Sequence, residues 1–347
     1  MSFTKFDPTD FVVSADSITA PAWSTNAPTL NTFYTKSGSI TSSFYQDVYQ
    51  ADPSGSNSAV QFSIAYGNIG GTGSAPLNTL VPANTPTRIT FGQFRNIIYG
   101  DAESNVSFGT GNTASVDLIA VQIDRNRYKG SLFPGTFNLQ LATGSYNQLL
   151  KLTDNSNDVS TVTYLDCGRA YNIISGSNGT AANSPLLAGA SAKGYTVSGS
   201  YGLFLPDVGL ILLNPAALRL STANGGLSVN FSGSANVNET MVSIITGSSS
   251  VGITQAASFQ LNSQETISSD YVFVRIKNGE YNYTSNPSFI SGSGNLVYSN
   301  FINSPQTYPT TVGLYNNNSE LLAVAKMSQP LVKDFTKEAL IRVKLDW

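Results

Sequence analysis

The run Tyr271–Lys277 (YVFVRIK) leads into Asn278-Gly279 and then into Glu280–Tyr283 (EYNY). β-Branched and aromatic residues fill both arms, and Asn-Gly is the dipeptide that most readily takes the positive φ angles of a two-residue hairpin turn. The stretch predicts a β-hairpin and sets the reading of the rest of the chain. Downstream come Asn295–Phe301, Thr311–Tyr315, a turn at Asn316-Asn317-Asn318, Leu321–Met327 and Ala339–Asp346 (ALIRVKLD). Each strand segment among them is short, apolar or β-branched, and bounded by turn residues.

Upstream the same pattern recurs. Strands are expected at Ala59–Tyr66, Thr87–Phe91, Arg95–Tyr99, Val116–Asp124, Thr136–Leu141, Gln148–Leu152, Val159–Asp166, Ala170–Ile174, Leu227–Phe231 and Glu239–Ile245. Thr41–Gln50 is ambiguous, because Phe44 with Val48 and Tyr45 with Tyr49 stand at helical spacing, but its residue types favour a strand. Tyr201–Leu220 (YGLFLPDVGLILLNPAALRL) is about long enough to span a bilayer. Pro206, Asp207, Asn214 and Pro215 interrupt it, so it reads as a buried strand, a turn and a short helix. Asn214 can cap that helix at Pro215–Leu220, and Asp334–Glu338 can make one further turn. The expected fold is mainly β, with antiparallel β-sandwich-like modules, long polar loops and one or two short helices.

Polar loops at Gly67–Asn84, Gly100–Ser115, Ser175–Gly194 and Gly247–Thr254 divide the strands. They suggest an N-terminal β-rich region 1–180, a central region 181–265 and a C-terminal antiparallel module 266–347. An N-terminal strand pairing into the C-terminal sheet would blur these limits.

Composition narrows the function. Of 347 residues 41% are hydrophobic and 11% charged, and 18 Lys and Arg against 21 Asp and Glu leave a net charge of −3. That is too little of either sign for a polyanion-binding field, so no nucleic-acid partner is expected. The chain has no histidine and one cysteine, Cys167, which excludes zinc fingers, disulfide frameworks and every His-dependent triad. The opening MSFTKFDPTD lacks the layout of a secretory signal, so synthesis and assembly in a cytoplasm are expected, without membrane insertion. Asn-X-Ser/Thr triplets such as Asn178-Gly179-Thr180 are what chance gives in a chain this rich in Asn, Ser and Thr.

The local motifs have plain structural readings. Gly109-Thr110-Gly111-Asn112-Thr113-Ala114 matches a dinucleotide fingerprint, but the segment that follows, Val116–Asp124, reads as a strand, and without a helix N-terminus there is no anion site. Asp154-Asn155-Ser156-Asn157-Asp158 alternates oxygen side chains like a calcium loop, yet Val159 replaces the required glycine and Leu165 the bidentate Glu. A polar turn is the better reading. Asp124-Arg125-Asn126-Arg127-Tyr128-Lys129 is the densest charge in the chain and reads as a solvated strand end or a partner-facing ion-pair cluster. Asp166 and Asp207 stand in apolar surroundings that would raise their pKa values, but nothing brings them together as a glycosidase pair. Cys167 reads as a small core residue. No catalytic, cofactor-binding or metal-ligating residue is expected. The 17 Tyr and 18 Phe suit strand ends or subunit contacts.

Three stretches carry a resemblance: FDPTDFVVSADSITAPAWSTNAPTLNTFYT (Phe6–Thr35), SYGLFLPDVGLILLNP (Ser200–Pro215), and the C-terminal block YVFVRIKNGEYNYTSNPSF (Tyr271–Phe289) with TYPTTVGLYNNNSELLAVAKMSQPLVKDFTKEALIRVKLDW (Thr307–Trp347). The chain resembles virion structural proteins of contractile-tailed phages, cyanophage-like myoviruses in particular. The resemblance implies a non-enzymatic part of the tail, in the baseplate wedge or its periphery, present in several copies and bound to other tail proteins. Its rivals are a head or neck decoration protein, a fibre-attachment module and a receptor- or carbohydrate-binding module, with a host glycan as the alternative partner. Residues expected at a partner interface are Trp23, Arg125, Arg127, Tyr128 and Trp347, the segment around Trp23 and the last strand packing either inside the sheet or onto a neighbour.

Overall fold

The computed structural model describes residues 4–35, 44–78, 80–81, 84–101, 103–108, 114–143, 148–182, 186–231, 237–246, 257–282 and 286–346. Strand makes up 38% and helix 14%, in large antiparallel sheets of which one is curled into a half-barrel. The chain divides into two compact units, residues 18–265 and residues 1–17 with 266–347.

In the larger unit a thirteen-stranded sheet runs in the order Thr29–Leu30, Ser258–Gln260, Asn138–Thr143, Gln148–Asp154, Gly168–Ser177, Gly202–Leu205, Leu210–Leu213, Asp117–Ile123, Val60–Asn68, Gln46–Tyr49 and Tyr34–Thr35; Thr163–Leu165 and Thr180–Ala181 attach to Gly168–Ser177. The central strands are covered on both faces, which is why they read as unbroken apolar runs. Ile119, Val121, Ile123, Ile211 and Leu213 point into one cluster. Their neighbours Leu118, Ala120, Leu210 and Leu212 point into the other.

Three segments expected as strands lie in two helices. Thr87–Phe91 and Arg95–Tyr99 belong to one helix, Pro86–Tyr99, which Thr85 caps by accepting from Arg88 N and which Gly100 closes at φ +69°, its N–H reaching Asn96 O. Its β-branched residues look strand-like, but Thr87, Thr90, Phe91, Phe94 and Ile98 share one buried face at helical spacing. The helix lies against the backbone at Gly67, where an added Cβ would come within 2.8 Å of Phe91 Cα. Glu239–Ile245 likewise falls in the helix Val237–Thr246, which buries Val237, Met241, Val242, Ile244 and Ile245. The short helix Pro215–Arg219 forms as expected, with Asn214 accepting from Ala216 N, and two strands, Gly202–Leu205 and Leu210–Leu213, pair ahead of it. Leu227–Phe231 is no strand; Leu227, Val229 and Phe231 are buried as irregular chain. With Ser299–Asn303, which replaces the strand expected at Asn295–Phe301, the described residues hold four α-helices and not one or two.

The second unit is built on residues 11–17 of the strand Phe11–Pro21, residues 266–276 of the strand Asn262–Ile276 and the strand Ala339–Asp346, in the order first, middle, last. The middle and last pair without a break from Ser269↔Asp346 to Ile276↔Ala339. This ladder takes the place of the hairpin expected around Asn278-Gly279. A turn does form there, Glu280 N donating to Lys277 O at 3.1 Å. Gly279, however, does not take a left-handed φ, and no strand follows at 280–282; Tyr283 lies outside the described residues. An eight-residue ladder forms more hydrogen bonds than a four-residue arm can offer. Thr311–Tyr315 and Leu321–Lys326 form a second, two-stranded sheet. Asp334–Glu338 is a turn, Lys337 N donating to Asp334 O, and not a helix.

Candidate functional site

The feature that distinguishes the unit of residues 1–17 and 266–347 is the small amount it buries. Along Ala339–Asp346 the odd-numbered residues face inward and the even-numbered ones, Leu340, Arg342, Lys344 and Asp346, face solvent. The inward face meets a cluster of three buried side chains, Val272, Leu314 and Val343, with Phe6, Val312, Ala323, Ala325 and Leu345 partly buried around them. Large apolar groups stay outside: Val13 is 72% exposed, Leu322 69% and Leu340 63%, with Phe11, Val12, Leu321, Val324 and Phe335 also open. These open apolar side chains make this unit the candidate functional site.

Polar contacts hold this thin unit in shape. Lys333 is fully buried, and its ammonium donates to Asn278 O, Asn282 Oδ1 and Asp334 O, each at 2.9 Å. Three acceptors match the three N–H donors of a lysine and tie the 278–282 turn to the 333–334 segment. Arg275 pairs with Asp10 at 2.9 Å. Tyr271 stands opposite Lys344, with the Arg342 guanidinium 5.4 Å and the Lys344 ammonium 5.9 Å from its ring centre.

The residues expected at a partner interface are scattered over other environments. Trp23, 1% exposed, lies in the larger unit's core. Its Nε1 donates to Phe259 O at 2.9 Å, and its ring stands 4.8 Å from that of Phe259 and 6.0 Å from that of Phe62. Tyr128 is buried too, beneath Gly209 at φ +67°, where a Cβ would come within 2.5 Å of the phenol oxygen. Arg125 is exposed but curls over the Tyr128 ring at 4.5 Å and donates to Lys129 O at 2.6 Å. Lys129 reaches Glu265 at 3.1 Å. The guanidinium of Arg127 keeps a buried Nε with no hydrogen-bond partner among the described residues. The charged cluster thus mostly folds back on its own loop. Trp347 lies outside the described residues, as do Gly109–Thr113 of the glycine-rich motif.

The carboxylates are structural where their contacts are visible. Burial works to raise the Asp207 carboxyl, but hydrogen bonds from the Arg169 side chain and backbone, with the guanidinium charge, hold it below the usual range. That reverses the rise expected from its apolar neighbours in sequence, because the partner arrives from a different strand. Asp166 lies against the Gly100 helix end. Burial, then the charges of Asp207 and Asp166, push the Cys167 thiol up, away from nucleophilic character. Asp154 to Asp158 form a turn. Asp154 accepts from Gly135 N and Ser156 N, Asn155 from Asn172 N and Asp158 from Ala181 N, so these oxygens hold backbone. No group of three or more potential metal ligands occurs among the described residues.

One buried network was not singled out from the sequence. Asp117, nearly inaccessible, pairs with Arg219 and accepts from Tyr66 Oη at 2.9 Å. Burial first, then the Asp117 charge, pushes the Tyr66 phenol up to about 12. The signals were an Asp opening an apolar strand and an Arg closing an apolar helix.

Compared with known proteins, the chain matches no family model, no curated protein and no solved structure.

Proposed function

We propose that the chain is a non-enzymatic structural component of a bacteriophage contractile tail, set in the baseplate wedge, acting through protein–protein interfaces in a symmetric assembly. It is made in the host cytoplasm and resides in the virion. The observation that carries this reading is the second unit, which has a small buried cluster and leaves apolar side chains such as Val13, Leu322 and Leu340 open to solvent. A surface of that kind gains stability when a neighbour covers it, and virion parts bind through repeated surfaces of this sort. The resemblance of Phe6–Thr35, Ser200–Pro215 and the C-terminal block supplies the tail and the baseplate. The carboxylates with visible contacts support the same class, since they hold backbone amides and guanidinium groups.

The test is co-migration. Purified chain is mixed with disrupted contractile-tail particles from its own source and run on size exclusion with light scattering, with host polysaccharide in a parallel run. A shift into complexes with wedge proteins, and none with polysaccharide, is expected. A free species that ignores tail proteins and binds the glycan overturns the proposal in favour of a receptor-binding module.

A further inference from the structure

Asn stands directly before Gly at 178, 224 and 278. Such a step is open to self-modification, because the glycine nitrogen can attack the asparagine side-chain carbonyl with no Cβ in its way. The reaction needs that nitrogen free and the side chain exposed. Gly179 N donates to Thr153 Oγ1 at 2.8 Å, and Asn178 Oδ1 accepts from Asn138 Nδ2. Gly225 N donates to Thr222 O at 3.1 Å. Asn278 and Gly279 are exposed, and among the described residues neither the Gly279 N–H nor the Asn278 side-chain amide has a hydrogen-bond partner.

Two donors converge on the main-chain oxygen of Asn278, the Lys333 ammonium at 2.9 Å and Asn282 Nδ2 at 2.6 Å. Such a pair stabilises the negative charge that develops on a carbonyl oxygen under attack. The ammonium is fully buried, and its acceptors, Asn278 O, Asn282 Oδ1 and Asp334 O, are all neutral. The Asp334 carboxylate is held by Thr336 and Lys337 instead. A buried cation without a counter-charge is costly, so a carboxylate formed beside this one is favoured.

We propose that Asn278 converts itself to isoaspartate and so gives Lys333 its counter-ion. Gly279 N attacks Asn278 Cγ, and the new N–Cγ bond closes a succinimide ring. The Cγ–Nδ2 bond breaks, and the proton lost from Gly279 N leaves with that nitrogen as ammonia. Water then adds to the main-chain carbonyl carbon of Asn278, where Lys333 and Asn282 hold the oxyanion. The bond from that carbon to Gly279 N breaks, and a proton from the water passes to the ring nitrogen. The chain now runs through Cγ, and the former main-chain carbonyl is a carboxylate beside the Lys333 ammonium. Nothing is oxidised or reduced, and water is the only co-reactant. The proposal concerns the chain alone and stands apart from the tail reading.

The experiment ages the purified full chain in mildly alkaline buffer and follows each Asn-Gly peptide by mass spectrometry with electron-transfer fragmentation, which separates isoaspartate from aspartate. In the folded chain Asn278 should convert at least tenfold faster than Asn178 and Asn224, whereas in urea the three should convert alike. The ratio of isoaspartate to aspartate at 278 should be at least twofold higher in the folded chain than in urea, where Lys333 and Asn282 no longer reach the carbonyl. Gly279 has nothing within 4 Å of an added Cβ and no left-handed φ. Gly279→Ala should therefore keep native circular dichroism and slow the conversion at least tenfold. An Asn278 that converts no faster than the other two, or a product ratio that folding leaves unchanged, overturns the proposal. So does a chain break after Asn278, or conversion of the Gly279→Ala chain at the wild-type rate.

Discussion

Asp117 and Arg219 meet as an ion pair at the edge of the larger unit's core, the carboxylate almost wholly buried and the guanidinium about one-third exposed. Residues 102 positions apart in sequence are joined there, the first at the start of a central strand and the second at the end of a short helix. Arg219 also lies over the Phe231 ring at 5.1 Å, and Phe231 stacks on Tyr66. Removing the cation leaves a buried charge with one phenol as its visible support. Arg219→Met is expected to destabilise the chain by roughly 3 kcal/mol, the low end for breaking a buried pair because the guanidinium keeps some water. Urea unfolding monitored by tryptophan fluorescence would read this through Trp23; a loss below about 1 kcal/mol would contradict it.

The phenols set the alkaline limit. Burial pushes Tyr201, like Tyr66, up to about 12. A phenol ordinarily titrates near 10, so between pH 10 and 12 the unfolded chain loses protons that the folded chain keeps. Stability from this source is complete below pH 10 and declines as pH rises through the folded values. Thermal unfolding followed from pH 9 to 11.5 should show a steep fall in wild type and a shallower one in Tyr66→Phe/Tyr201→Phe. Equal slopes would remove these two residues as the cause.

Packing at Gly67 is a matter of space. A Cβ there meets Phe91 backbone atoms at 2.8 Å, whereas Gly92, one position further along that helix, has nothing within 4 Å. Gly67→Ala is expected to cost about 2 kcal/mol by forcing the helix off the sheet. Gly92→Ala should stabilise by about 0.5–1 kcal/mol through helix propensity. Denaturation midpoints of the pair test both the helix assignment and its contact, and a strand at 87–91 would give no such opposition.

Lys333 makes the second unit's main polar tie. Lys333→Met should leave Asn278 O, Asn282 Oδ1 and Asp334 O without their donor and cost about 2–3 kcal/mol of local stability. Hydrogen exchange is the suitable readout. Faster exchange at 269–276 and 339–346 with unchanged exchange at 117–123 and 210–213 is expected, and uniform acceleration across the chain would place the effect elsewhere.

Much of the β framework was legible in the sequence. Thr311–Tyr315 and Ala339–Asp346 appear at the expected bounds, and Asn214 caps its helix as its position before Pro215 indicated. Pro86–Tyr99 was misread because Ile, Thr and Phe favour strands, although Thr85-Pro86 and Gly100 were the start and stop signals to weigh against them. The Asn278-Gly279 hairpin failed for a different reason. Turn propensity is local, while the partner of Tyr271 is Lys344, a pairing that no window around the turn can register. Ion pairs are illegible in the same sense. Asp207 looked like a carboxyl with a raised pKa until Arg169 was brought to it from the neighbouring strand.

The proposed assembly surface comprises residues 11–16, 321–326 and 339–346. The decisive measurement is hydrogen exchange of the free chain against the chain inside purified contractile-tail particles. The chain is expected in the particles in stoichiometric amounts, with amides in these three segments protected there by at least tenfold over the dilute free chain. Absence from the particles, or equal exchange at all three segments in both states, would overturn the proposal.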